Sequence, residues 1–300
     1  MIPYRRDIVE RPLLRHSPTL PREMCVTASN NAVEILHANA SAARARVGLF
    51  DFDGTLSLIR SGWVDVMVPM MVEILMGLQT GESESDLRAL VEDFVARLTG
   101  EQTIYQMMEL ARQVELRGGK PLEPLAYKHM YHEKLMANIE YRRQDLRRGV
   151  ASPEKYLVPG ARAFLESLRD RGLKLYCASG TDEVYTREEA DLLEIQDYFQ
   201  GGIYGAQDDY KSFSKEILIQ RMISGLECQG DELLGFGDGF VEIKNVKDVG
   251  GIAVGLATAE PDCQAVDPWK RQRLASVGAD FIVPNFLSRE ELLGVLFGRA

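Results

Sequence analysis

Val47-Gly48-Leu49-Phe50-Asp51-Phe52-Asp53-Gly54-Thr55-Leu56 is the stretch whose reading decides the fold. Four apolar residues run directly into Asp-x-Asp-Gly-Thr, the pattern of a buried strand that ends in a tight turn. Ligands of open parallel sheets lie beyond the carboxyl ends of the strands, so both carboxylates are expected to face a binding crevice. Residues two apart in extended chain point the same way, and a turn at Gly54 lets Asp51 and Asp53 diverge. One is then free to act as nucleophile and metal ligand while the other handles protons. An ordinary Asp-Gly turn after a strand is the competing explanation.

Outward from this stretch the texture changes twice. Residues 61–148 read as almost wholly helical, with apolar residues at three and four spacing through Val64–Leu78, Leu87–Leu98, Thr103–Leu116 and Leu125–Leu146. From Val158 onward strands alternate with helices: a helix over 159–171, a strand over 173–178, a helix over 184–193 and a strand near 202–205. A helix over 215–224 follows, then strands over 233–236, 252–255 and 281–284. Such alternation predicts a parallel sheet with crossover helices, and the strand before Asp51 must belong to it. The expected organisation is an α/β core over 46–60 and 150–300, split by a helical insertion over 61–149. Residues 1–45 form an N-terminal arm with a short helix near Thr27–Ala43.

The chain has 300 residues, 45% of them hydrophobic and 27% charged, an ordinary globular composition. Its net charge is -10, from 45 acidic and 35 basic residues. That balance gives no general attraction to nucleic acid or to an anionic membrane. Cys25, Cys177, Cys228 and Cys263 are scattered, which fits reduced thiols in a cytoplasmic protein. Residues 1–20 carry four arginines and no following apolar run, so a secretory leader is not expected. The most apolar stretch, 63–78, is broken by Asp65, Pro69 and Glu73 and falls short of the ~20 apolar residues of a membrane span.

Three further signals sit at strand or helix edges. Ser179-Gly180-Thr181-Asp182 follows an apolar strand and precedes a helix, a place where a hydroxyl and backbone N–H groups bind an anion. Helix capping alone accounts for the same residues. Ser214 is a cap for a helix that starts at Lys215, where an ammonium opposes the helix dipole and is better explained by a facing anion. Gly237-Asp238-Gly239-Phe240-Val241-Glu242 follows another strand; its glycine spacing is not that of a dinucleotide site, and its paired acids suit Mg²⁺.

Asp51-Phe52-Asp53-Gly54-Thr55, Ser179-Gly180, Lys215 and Gly237-Asp238-Gly239 with Glu242, in that order, resemble the haloacid dehalogenase-like hydrolase superfamily. The resemblance spans residues 47–242 and implies a Rossmann-like, three-layer α/β core with an inserted all-α cap. It further implies a Mg²⁺-dependent phosphatase of a small-molecule phosphate ester, either a sugar phosphate or a phosphorylated carboxylic acid. Asp51 would be the nucleophile and Asp53 the acid–base; Ser179, Gly180 and Lys215 would bind phosphate. The metal ligands would be Asp51, Asp53 through its carbonyl, Asp238 and Glu242. Glu242 stands where aspartate is commoner, so its contact is either direct or through water. Lys211 is the other candidate for the motif lysine. A phosphomutase using the same aspartyl-phosphate, and a non-enzymatic phosphate-binding protein, are the alternatives.

Arg60 and Trp63 lie at the start of the helical insertion and are candidates for substrate specificity, Arg60 by reading a carboxylate or second phosphate through its planar fork. His129 and His132, beside Glu133, lack a third ligand and read as a solvated helix face rather than a metal pair. Arg142, Arg143, Arg147 and Arg148 read as a solvated, dipole-favourable helix end. Nothing in the sequence specifies an oligomeric state.

Overall fold

A computed structural model describes residues 33–207, 214–225 and 228–298. Cys25, Lys211 and the first part of the helix expected over 27–43 lie outside the described residues. In chain order the elements are β1 (Glu34–Ile35), β2 (Val47–Phe50), α1 (Val64–Met76), α2 (Glu84–Arg97), α3 (Thr103–Leu116), α4 (Pro124–Arg147) and α5 (Ala161–Asp170). They continue as β3 (Lys174–Asp182), α6 (Glu183–Leu192), β4 (Gly202–Ala206), α7 (Lys215–Gly225), β5 (Leu233–Gly237) and α8 (Phe240–Asp248). The last are β6 (Ile252–Leu256), α9 (Pro268–Ser276), β7 (Phe281–Val283) and α10 (Arg289–Phe297).

The strands form one sheet in the order β1-β7-β6-β5-β2-β3-β4. All neighbours are parallel except β1, which runs antiparallel to β7. β2 is buried along its whole length between β3 and β5, which is why it reads as a continuous apolar run. Its side chains alternate: Val47 and Leu49 pack with α7, α8 and α9, whereas Phe50 packs with α5, α6 and α10. The result is three layers. Phe50 stacks on Phe236 of β5 at 4.3 Å, and Phe164 of α5 stacks on Phe286 at 4.7 Å. These rings make a rigid floor directly beneath the ends of β2 and β5.

The order of connection fixes where a ligand sits. From β2 the chain moves outward to β3 and β4, then crosses back to β5, β6 and β7 on the other side. β2 and β5 therefore flank the topological switch point, where crevices open at the carboxyl ends of strands. Asp51 is the first residue after β2, and Asp238 the first after β5. Helices α1 to α4 are inserted between β2 and α5, and their buried Met71, Leu75, Phe94, Met107 and Leu110 belong to one apolar cluster with Phe50 and Phe164.

One expectation is corrected. The described part of the arm, residues 33–43, contains no helix. Glu34 and Ile35 instead pair with Ile282 and Phe281 at the sheet edge, and the Ala42 N–H reaches the Leu296 carbonyl at 2.7 Å. The alanines carry helix propensity, but it is a weak prior, and main-chain pairing with β7 outweighs it here.

Candidate active site

The turn after β2 is built by its own backbone. The Asp51 N–H bonds the Phe236 carbonyl at 2.9 Å, and the N–H groups of Leu56 and Ser57 both return to the Phe52 carbonyl at 2.9 Å. Gly54 has φ +77°, and a Cβ there would lie 2.4 Å from Asp238 Oδ2. Only glycine therefore lets the turn close against the end of β5. Thr55, which the sequence reading did not single out, ties the two strand ends together. Its Oγ1 accepts from the Asp238 N–H at 3.0 Å and donates to Asp51 Oδ2 at 3.3 Å.

Asp51 and Asp53 do diverge, and each finds separate partners. Lys215, at the start of α7, donates from Nζ to Asp51 Oδ1 at 2.7 Å and also to Glu242 Oε1. Asp53 Oδ2 accepts from Thr181 Oγ1 at 2.8 Å and from Ser179 Oγ at 3.3 Å. Ser179 is thus no helix cap; the cap position of α6 is Asp182, which makes no side-chain cap bond and instead pairs with Lys128 of α4. Ser214 does cap α7, its Oγ accepting from the Ile217 N–H at 3.1 Å, and this delivers Lys215 inward. Gly180 is a place of close approach: a Cβ would lie 2.8 Å from the Glu101 carbonyl oxygen of the α2–α3 loop.

Burial raises the pKa of Asp51, which the Lys215 charge partly offsets, and Asp53 pushes it further up. Asp238 is likewise raised by burial, with Lys270 opposing and the Asp51 charge adding to the rise. Asp53 is pushed up to about 6 by burial, against the pull of Arg60. A carboxyl titrating there both gives and takes protons near neutrality.

Lys270 of α9 and Glu189 of α6 are also missed by the sequence reading. Lys270 Nζ donates to Asp238 Oδ2 at 2.9 Å and to Glu260 at 3.2 Å. Glu189 is fully buried and accepts from Arg60 Nε and Nη2, at 3.0 and 2.8 Å. Arg60 is thus buried in an ion pair, and its Nε stands 3.9 Å from Asp53 Oδ1. Trp63 is half-buried, packs against the core and lines the same cavity as Asp51 and Asp53.

The basic cluster on α4 also departs from expectation. Arg143 is buried and pairs with Glu188, while Arg142 bonds the carbonyls of Leu58, Ile59 and Ser61. Arg142 and Arg143 are thus packed against the β2–α1 connection and α6, whereas Arg147 and Arg148 are exposed as expected. His129 is exposed, but His132 is half-buried and stacks on Tyr185 at 4.3 Å, and its pKa is lowered by burial.

Among the described residues, no group of three His, Cys, Asp or Glu side chains is drawn together as a metal site by itself. The donors nonetheless suit a hard divalent cation that keeps several waters. Asp51 and Asp238 are near enough for one charge to raise the other's pKa. Asp53 Oδ1 and Glu242 Oε2 are buried oxygens without a hydrogen-bond partner. Asp51, Asp53, Ser179, Gly180, Lys215, Asp238 and Glu242 all border one cavity of ≈110 Å³.

A mostly parallel sheet with acids clustered at its switch point, beneath inserted helices, defines a Rossmann-like α/β protein with a polar site at its strand ends. The chain belongs to the haloacid dehalogenase-like hydrolases, whose family model matches residues 46–250. Solved structures share the fold at low identity. A predicted phosphoglycolate phosphatase from Haemophilus somnus 129Pt is 14% identical, with a TM-score of 0.54, covering 83% of this chain and 98% of its own. A predicted phosphatase from Clostridium acetobutylicum is 19% identical, with a TM-score of 0.53, covering 83% and 97%. A family hydrolase from Deinococcus radiodurans R1, solved with phosphate and sodium, is 14% identical with a TM-score of 0.50 and covers 86% and 100%. Among curated proteins none matches.

Proposed function

We propose that this hydrolase is a Mg²⁺-dependent phosphatase of small phosphate monoesters that works through an aspartyl-phosphate on Asp51. One observation carries the reading: Asp51 and Asp53 stand side by side in one cavity yet are held by different partners. Lys215 holds Asp51, and Ser179 with Thr181 holds Asp53. Two carboxylates in distinct settings are what a nucleophile and an acid–base need.

An Asp51 oxygen attacks phosphorus as the bond from phosphorus to the leaving oxygen breaks. Asp53, protonated, gives its proton to that oxygen. The resulting Asp53 carboxylate then takes a proton from the water that attacks phosphorus, which releases phosphate and restores Asp51. Lys215 and Ser179 orient phosphate oxygens and balance their charge. Asp51, Asp238, the Asp53 carbonyl and, directly or through water, Glu242 would hold Mg²⁺. When bound, the ion neutralises phosphoryl charge and also relieves the mutual repulsion of the acids. The overall charge of -10 is thus no obstacle to an anionic substrate.

Cys177, Cys228 and Cys263 are buried free thiols, which suits a reducing compartment such as the cytoplasm. Among the described residues no helix is long and apolar enough to cross a membrane. The excess of acidic residues argues against nucleic acid as a partner. Hydrolysis of p-nitrophenyl phosphate is the direct test. Chelation with EDTA is expected to abolish release of phosphate and excess Mg²⁺ to restore it. Undiminished turnover in EDTA would remove the metal from the reading.

A further inference from the structure

We propose, resting on the Mg²⁺-dependent reading above and deepening it, that Lys270 is a positioning residue of the metal site. It holds Asp238 from outside the cavity, is itself held by Glu260, and so presents one Asp238 oxygen to the cation.

Helix stability does not account for Lys270. It lies in the first turn of α9, where Asp267 caps the helix by accepting from the Lys270 N–H at 2.8 Å. An ammonium in that turn opposes the helix dipole. It faces two carboxylates instead: Nζ donates to Asp238 Oδ2 at 2.9 Å and to Glu260 Oε1 at 3.2 Å, and the side chain is only 18% exposed. Glu260 is fixed in turn. Its Oε2 accepts from the Ser61 hydroxyl, and the Ser61 carbonyl accepts from Arg142 Nη1 at 2.8 Å. A flexible lysine is thus held in one place by groups from the loop after β6 and from the β2–α1 connection.

Lys270 reaches Asp238 from the side away from the substrate. Asp238 borders the cavity together with Asp51 and Asp53, whereas Lys270 and Glu260 are not among the described residues that line it. Lys270 takes Oδ2, and Asp238 Oδ1 has no hydrogen-bond partner among the described residues. One oxygen is therefore supported and the other is left for a cation. Thr55 Oγ1 bonds both the Asp238 N–H and the Asp51 carboxylate, so the two acids are neighbours that repel each other before a cation arrives. Lys270 fixes Asp238 against that repulsion. Its own charge does not drive the metal away, because one ammonium is balanced by two carboxylates and the trio stays net negative. Partners that orient a ligating carboxylate in this way raise the affinity for the metal.

Calorimetric titration of the metal-free full chain with Mg²⁺ alone provides the test. Lys270→Met is expected to weaken binding at least about tenfold, and Lys270→Arg to regain much of that loss. Because Lys270 touches no reacting atom, kcat of Lys270→Met on p-nitrophenyl phosphate at saturating Mg²⁺ should stay within about threefold of the parent. Glu260→Gln loosens Lys270 without touching Asp238; it is expected to weaken Mg²⁺ by a smaller factor, and it serves as the test should Lys270→Met not fold. Mg²⁺ bound by these variants as tightly as by the parent, or more tightly, would overturn the role of Lys270 and leave the phosphatase reading standing. A kcat that stays more than about tenfold low at saturating Mg²⁺ would also overturn it, since Lys270 would then act on more than the metal. A parent chain that binds no Mg²⁺ and turns over undiminished in EDTA would remove the metal reading and the role of Lys270 together.

Discussion

Asp51→Asn is expected to lower kcat on p-nitrophenyl phosphate by at least on the order of 10³-fold, the scale of losing a covalent nucleophile. The amide keeps the shape of the side chain but has no nucleophilic oxygen at neutral pH. Glu242 remains as a partner for Lys215, so the start of α7 keeps its anchor. The turn is closed by backbone bonds from Leu56 and Ser57 to Phe52, which the substitution leaves alone. Near-ultraviolet circular dichroism should accordingly be unchanged while turnover vanishes. Activity within tenfold of the parent would refute the assignment of the nucleophile.

The second large effect is on stability. Arg60→Met is expected to cost about 3–5 kcal/mol, because it leaves the fully buried Glu189 carboxylate facing only the more distant Arg143. Urea unfolding reads this as a lower midpoint with an unchanged slope. The double variant Arg60→Met with Glu189→Leu replaces the whole ion pair by apolar groups and should regain most of the loss. It should not regain full activity, since Asp53 has lost the cation 3.9 Å away. A single variant destabilised by less than about 1 kcal/mol would mean that Arg60 and Glu189 are not a buried pair in solution.

What the sequence discloses and what it hides divides along sequence separation. The strand into Asp51, the turn at Gly54 and the start of α7 at Lys215 follow from local patterns, because apolar runs, glycines and serine caps act within a few residues. The helices of the insertion are legible for the same reason. Glu189 and Lys270 are not: each acquires its place only when a segment tens to hundreds of residues distant folds beside it, as Glu189 does across 129 residues from Arg60. Arg60 shows the consequence. Its sequence position at the start of the insertion suggests a ligand-reading cation, yet a partner on α6 takes its Nε and Nη2. The arm fails in the opposite direction, since local helix propensity over Val33–Ala43 yields to pairing with β7 at a sheet edge.

The central claim is that Asp51 becomes phosphorylated during turnover. Rapid acid quenching of the enzyme with Mg²⁺ and a phosphate monoester, followed by borohydride reduction and peptide mass spectrometry, tests it directly. The account predicts homoserine at position 51, the product of reducing an aspartyl-phosphate, and none in the Asp51→Asn variant. Steady turnover with residue 51 recovered unmodified, or with the reduced residue at another position, would contradict it.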